Sequence, residues 1–250
     1  VISFVVPAHN EEAFIGRTLS AMNDAARALG EPYEIIVASD ASTDRTGDIA
    51  LAHCARLVVV NHRQISATRN AGARAATGEL FFFVDADTMV TERAVRAAVR
   101  ALRGGAVGGG TSGIRFADGP MPFYATVMER LMPPIFHAIR MAPGCFLICT
   151  RKAYLTAGGF DETLFATEEV VFAGRLKRQG KFVMLREPVF TSGRKLRAHS
   201  ALDLARIAVR LALGGRQALQ RRDGMEYWYE QRKTLLTDAV HYSMVRNPPH

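Results

Sequence analysis

One acidic pair in this chain has the residue types and spacing for metal and phosphate chemistry. Asp85-Ala86-Asp87 follows directly on the apolar run Leu80-Phe81-Phe82-Phe83-Val84. Such a run reads as a strand buried on both faces. Two carboxylates just past its carboxyl end are costly unless they are paired or hold a cation. In open α/β sheets that edge is where ligands bind. Mg²⁺ and Mn²⁺ take oxygen ligands and share them with substrate phosphates. Asp85 and Asp87 therefore read as a metal–diphosphate handle. The competing reading is a solvated turn that caps a helix starting near Thr91.

The elements that must position this pair follow from periodicity. Residues 2–6 read as a buried strand ended by Pro7, and the loop Pro7-Ala8-His9-Asn10-Glu11-Glu12 leads into a helix reaching Leu29. Ile15, Leu19, Met22 and Ala26 mark its apolar stripe, and Gly30 stops it. Strands over Tyr33–Ala38 and Leu57–Val60 flank a helix from about Asp44 to His53, with Asp44 as turn and cap residue. A helix over Ser66–Ala76 precedes the Leu80 strand, and another runs from Thr91 to Leu102. Alternation at this spacing predicts parallel strands with right-handed crossovers. The loops 7–12, 39–44 and 85–88 then gather at one sheet edge as a single acidic crevice.

Beyond residue 103 the pattern changes. Gly104–Gly113 reads as a break between two ways of organising the chain. Residues 121–141 are apolar and Met-rich, with Pro133-Pro134 interrupting a helical reading. Residues 144–149 and 181–185 read as strands, Gly158-Gly159 as a sharp turn, and Glu168–Gln179 as a helix. The tail over 201–245 reads as two helices. The expected division is a domain over 1–200, split into a Rossmann-like half (1–103) and a second half (104–200), followed by a helical extension over 201–250.

Composition narrows the partners. Lys and Arg number 32 against 24 Asp and Glu, a net charge of +8, which favours anionic partners. No aromatic–basic interleaving or reader motif supports nucleic acid. Three cysteines offer no disulfide framework, so a reducing, cytoplasmic setting is expected. Val1–Val6 is too short for a signal-peptide core, and no stretch reaches the length of a membrane span.

Five segments, in order, carry a resemblance: VVPAHNEE, SDASTD, ATRNAGARAATGELFFFVDAD, GGFDE and TEEVVFAGRLKRQG. Over roughly residues 2–186 the chain resembles glycosyltransferase family 2, nucleotide-sugar-dependent enzymes of the GT-A fold. The resemblance implies an α/β fold with a mostly parallel central sheet flanked by helices. It implies sugar transfer from a UDP- or GDP-sugar to a hydroxyl on a carbohydrate, lipid-linked or small-molecule acceptor, with Mn²⁺ or Mg²⁺. By the same resemblance Pro7, Ala8, His9 and Glu11 hold the nucleoside and Asp40 reads the base edge. Arg69 pairs with the diphosphate or with an acid such as Asp85. Asp87 is the direct metal ligand, with Asp85 on ribose or at the metal.

Inverting transfer needs a base for the acceptor hydroxyl. The family places it in a Glu-Asp pair at a helix start, which here is Glu168-Glu169, so Glu169 falls at the base position. Ser39 departs from the family pattern too, standing where a first acid is usual. Arg194 and Lys195 are expected over the diphosphate, and His199 as a further metal ligand. Two alternatives are a non-catalytic nucleotide-sugar-binding or membrane-associated module and a sugar-phosphate nucleotidylyltransferase; the latter usually has a glycine-rich basic first loop, which PAHNEE is not. Between Arg194 and Arg222 the chain is basic, with an apolar stripe at Leu202, Ala205, Val209 and Ala212. That pattern suits peripheral contact with the inner face of a membrane, with residues 121–141 as a second contact.

Overall fold

The computed structural model describes residues 1–198. The first half alternates as the periodicity predicts: β1 (Ile2–Ala8), α1 (Ile15–Leu29), β2 (Tyr33–Asp40), α2 (Thr46–Ala52), β3 (Arg56–Val60), α3 (Ile65–Ala75) and β4 (Leu80–Val84). A two-residue strand, β5 (Thr88–Met89), and α4 (Glu92–Arg103) follow. β3, β2, β1 and β4 are parallel neighbours, with Phe4 beside Phe82 in register.

The second half comprises β6 (Gly108–Thr111), β7 (Ile114–Phe116), α5 (Phe123–Ala138), β8 (Phe146–Thr150), α6 (Arg151–Ala157), α7 (Glu168–Lys177), β9 (Phe182–Leu185), β10 (Val189–Thr191) and α8 (Arg194–Ala198). Three of its strands, β8, β6 and β9, extend the same sheet. The order is β3-β2-β1-β4-β8-β6-β9, with β8 antiparallel to both neighbours. A small second sheet, β5-β10-β7, closes the end beyond β4.

The central strands of the large sheet are covered on both faces, whereas the edge strand β3 leaves Val59 exposed. Phe82 and Val84 pack with Ile15, Leu19 and Met22 of α1 and Val95 and Leu102 of α4. Phe81 and Phe83 point the other way, onto Ala73 of α3, Tyr154 of α6 and Phe172 and Leu176 of α7. The unbroken apolar run at 80–84 is therefore what a central strand in a three-layer α/β/α stack requires. Full burial of such a side chain contributes about 1.5–3 kcal/mol.

Two expectations change here. The glycines after residue 104 do not simply break the pattern, because Gly108–Gly110 form β6 inside the sheet. A Cβ on Gly108 would lie 2.8 Å from Leu176, and one on Gly110 would lie 2.6 Å from Ala142. Glycine is needed there for close approach by the covering elements. The Pro133-Pro134 pair does not end its helix either; α5 runs through both. Proline removes the donor owed to the carbonyl four residues back. For Pro133 that carbonyl is on Glu129, and it accepts instead from Arg115 Nη1 at 3.4 Å.

Candidate active site

The carboxyl ends of β1, β2 and β4 open on one crevice. At the end of β4 the Asp85 N–H donates to the Cys145 carbonyl at 3.2 Å, and the Thr88 N–H donates to the Asp85 carbonyl at 3.0 Å. This tight turn sends the Asp85 and Asp87 side chains to different partners. Asp87 meets Arg194 Nη2 at 3.2 Å and the Thr191 hydroxyl at 3.5 Å. Thr88 fixes the strand beneath by donating to Thr191 at 2.9 Å.

Arg194 is the cation on the Asp87 side of this crevice. Its guanidinium grips Glu11 with two bonds, at 2.8 and 2.5 Å, and lies 4.7 Å from the Phe14 ring centre. It thereby ties the loop after β1 to the turn after β4. Burial disfavours its charge, but Asp87 and Glu11 more than offset that and hold it protonated. Its position is set by Asp118, a buried acid with no readable sequence signal. Asp118 accepts from the Ser192 hydroxyl and the Gly193 N–H, both at 2.6 Å, and from Arg197 Nη2 at 2.6 Å. These partners lie 74 or more residues away, so only the fold brings them together. Lys195 follows Arg194 on α8. His199 and the basic tail lie outside the described residues.

Pro7 and Ala8 end β1 as buried residues of the crevice wall. His9 donates from Nδ1 to the Asp40 carbonyl at 2.6 Å. Asp40 itself is engaged within the chain rather than open to a base. Its carboxylate accepts from the N–H groups of His62, Arg63 and Gln64 at 2.7, 2.9 and 3.1 Å, and from the Thr68 hydroxyl at 2.7 Å. Four donors use the capacity of an ionised carboxylate. Asp40 thus fixes the entry to α3, the helix that carries Arg69. Asp44 does similar work at α2, accepting from Thr46 N–H at 2.9 Å.

Burial works against the Asp40 charge, but the bonds from Arg63, Thr68, Gln64 and His62 outweigh it and hold this carboxyl below its ordinary range. A carboxyl depressed in the folded state adds stability that is present above its unfolded value, near pH 4, and is lost as pH falls through the folded one. Asp40→Asn is expected to lose about 1–3 kcal/mol at neutral pH and to melt with a flatter pH dependence in acid. Equal acid sensitivity in both proteins, read by thermal melts, would remove Asp40 as the cause.

Across the crevice, α3 and α7 meet through Arg69. The sequence allowed it a phosphate or an acid; the structure gives it two acids. Arg69 is fully buried, with Nη2 at 2.9 Å from Asp85 and Nη1 at 2.5 Å from Glu168. Its Nε has no partner, and its guanidinium carbon lies 5.2 Å from the Phe160 ring centre. Burial opposes its charge, and Asp85, Glu168 and Glu169 together overcome that.

Glu169 sits beside this pair, packed near Gly144, where a Cβ would come within 3.4 Å of the Glu169 Cγ. Burial first, and the Glu168 charge second, push the Glu169 carboxyl well above the ordinary range, with Arg69 pulling the other way. The GGFDE turn is docked by Asn70, which donates to the Phe160 carbonyl and accepts from the Phe160 N–H, both at 2.9 Å. Gly159 there has φ +70°, and a Cβ on it would lie 2.8 Å from Asn70 Oδ1, so glycine is required twice over.

Among the described residues no cluster of three or more His, Cys, Asp or Glu forms a metal cage. Asp85 and Asp87 nonetheless fit a hard divalent ion, which is commonly held by one or two carboxylates plus substrate phosphates. The Asp87 carboxylate already has a cation, Arg194, against it.

Comparison with known proteins bears on the family and the fold. The chain is 33% identical over 111 residues to validoxylamine A glucosyltransferase of Streptomyces hygroscopicus subsp. jinggangensis, covering 42% of this chain and 26% of that protein. It is 33% identical over 94 residues to the undecaprenyl-phosphate 4-deoxy-4-formamido-L-arabinose transferase of Pseudomonas paraeruginosa, 35% of this chain and 28% of that one. The match thus takes in little more than a quarter of either relative. The mannosyltransferase PcManGT of Pyrobaculum calidifontis, solved with GDP-Man and Mn²⁺, superimposes with a TM-score of 0.59 at 19% identity, over 84% of this chain and 64% of that one. The fold is GT-A. The family model described as Glycosyl transferase family 2 matches residues 3–155. With a GT-A fold and a family match over more than half its length, the chain belongs to glycosyl transferase family 2.

Proposed function

We propose that this chain transfers a sugar from a nucleotide-sugar donor to an acceptor hydroxyl by a single inverting displacement. The observation that carries the reading is the opposition of two acidic sites across one crevice. Asp85-Ala-Asp87 stands at the end of β4, Glu168-Glu169 opens α7, and buried Arg69 holds Asp85 and Glu168 together. The nucleoside lies along Pro7, Ala8 and His9, and the diphosphate lies between Asp87 and Arg194, with Lys195 next in sequence. Asp87 and Asp85 would hold Mn²⁺ or Mg²⁺, whose charge offsets the negative charge gathering on the diphosphate. Asp40, taken up by its four donors, acts on the site through the start of α3.

Glu169 takes the acceptor proton as the acceptor oxygen bonds to the anomeric carbon. The bond from that carbon to the diphosphate oxygen breaks, and the nucleoside diphosphate leaves with the electron pair. A carboxyl raised toward neutral pH is a better base than an ordinary one, because efficiency peaks when the base pKa nears the working pH. The acceptor class remains the hydroxyl of a carbohydrate, a lipid-linked group or a small molecule. One curated relative is named for a lipid-linked substrate and another for validoxylamine A.

The test is a thermal-shift panel of UDP- and GDP-sugars with and without Mn²⁺, since a bound ligand raises stability with its concentration over its Kd. One donor is expected to stabilise the protein in a Mn²⁺-dependent way, and Asp87→Asn is expected to fold normally and lose most of that shift. An unchanged shift in the variant would take Asp87 out of the metal site, and no shift with any donor would overturn the reading.

A further inference from the structure

We propose that the outer face of α5 is a seat for an anionic lipid surface. This goes beyond the transfer chemistry and rests on none of the catalytic residues. Phe123, Val127, Leu131, Ile135 and Ile139 recur every four residues, each step turning the helix by about 40°, so they form one broad stripe. All five are exposed, Phe123 by 85%, Leu131 by 56% and Ile139 by 58%. Met128 widens the stripe. Ala125 is the one fully buried residue of α5. An apolar face of this size on a soluble surface marks an interaction site.

The inner side of α5 is anchored, so the outer side stands presented. The Tyr124 hydroxyl donates to the Leu196 carbonyl, His137 Nδ1 lies 3.5 Å from Ser112 Oγ, and Arg140 reaches the Phe182 carbonyl. Charge favours an anionic partner over a neutral or basic one, and the apolar stripe beside that charge suits a lipid surface. Arg130 is exposed beside the stripe, and the single acid of α5, Glu129, is drawn toward the exposed Arg115 at 3.7 Å. At about 24 Å the helix suits lying in the plane of the headgroups, with apolar side chains entering and Arg130 meeting phosphates. Among the described residues no helix is long and apolar enough to cross a membrane, so the contact is lateral. Its first turn adjoins the 192–197 segment that carries Arg194, which places the surface beside the crevice.

The test is co-sedimentation of the full chain with phosphatidylcholine vesicles, with and without phosphatidylglycerol. The protein is expected to pellet with the anionic vesicles, less so with neutral ones. Leu131→Glu with Ile135→Glu is expected to weaken partitioning at least roughly tenfold. A charge-matched control, Val59→Glu with Leu155→Glu, alters two apolar residues exposed elsewhere and is expected to bind like the parent. Protein remaining in the supernatant overturns the proposal, as does an α5 variant that binds as well as the control. So does a parent that self-associates in light scattering while ignoring vesicles, which would make the face a contact between copies. Should the α5 variant fail to fold, Phe123→Trp in a Trp228→Phe background gives a second reading: its emission shifts to the blue on anionic vesicles, and an unmoved spectrum overturns the proposal. Donor stabilisation in the thermal-shift panel is read separately, so the loss of one conclusion leaves the other standing.

Discussion

Glu169→Gln is expected to bind donor as the parent does and to lose transfer by about 10²–10⁴-fold, the usual share of a general base. The substitution keeps shape and hydrogen-bonding capacity and removes only the ability to accept a proton. In the parent, turnover should rise with pH through the raised Glu169 carboxyl, because the deprotonated form is the active one, and this limb should vanish in the variant. Stability should move the other way. A carboxyl raised in the folded state keeps its proton where the unfolded chain has lost it. Its contribution is full below the ordinary carboxylate value and fades as pH rises through the folded one. The amide escapes that loss, so the variant should melt at or above the parent near neutral pH. Near-normal turnover, or a rate profile with its limb intact, would make Glu169 a residue of the helix start alone.

The second large effect is on folding. Arg69→Met removes a buried guanidinium and leaves Glu168 buried and Asp85 part-buried without their shared partner. Breaking a buried ion pair from one side costs about 3–5 kcal/mol. For a chain of this size that corresponds to a fall in Tm of roughly 10 °C, at about 2–4 °C per kcal/mol. Adding Glu168→Gln should restore part of the loss, since the uncompensated charge disappears with it. If the single variant melts like the parent, or the double variant simply sums two losses, the three groups do not act as one network.

The first half of the fold was legible because its elements are long and periodic. The stripe of Ile15, Leu19 and Met22 and the run at 80–84 each match one template. The second sheet was not, because strands of two or three residues carry no period. β6 hid behind its glycines, whose role depends on Leu176 and Ala142 arriving from elsewhere. The prolines of α5 misled because the rescue of the Glu129 carbonyl comes from Arg115, outside the helix. At the site, the acids at 85 and 87 could be picked out by type and spacing, and those at 168 and 169 through the family resemblance. Arg69 was legible as a partner for Asp85, but its other partner was not: Arg69 and Glu168 are 99 residues apart, and Asp118 shows no sign in sequence that it will hold the segment after β10. Asp40 was legible as an acid at the right place, but the four donors that occupy it come from a loop and a helix beyond β3.

The grip of Arg194 on Glu11 and Asp87 means that the crevice carries its own counter-ion. A divalent ion held at Asp87, as proposed, would meet a guanidinium already in contact with that carboxylate, so its entry would be an exchange of cations rather than an addition of one. A diphosphate accompanying the ion would offer the displaced guanidinium new oxygens. Each would then ease the entry of the other, and by linkage the easing would be reciprocal. The free crevice and the filled one would then differ little in net charge, and the strap that follows β10 would shift its allegiance from protein carboxylates to substrate phosphates without ever leaving a buried arginine unmatched.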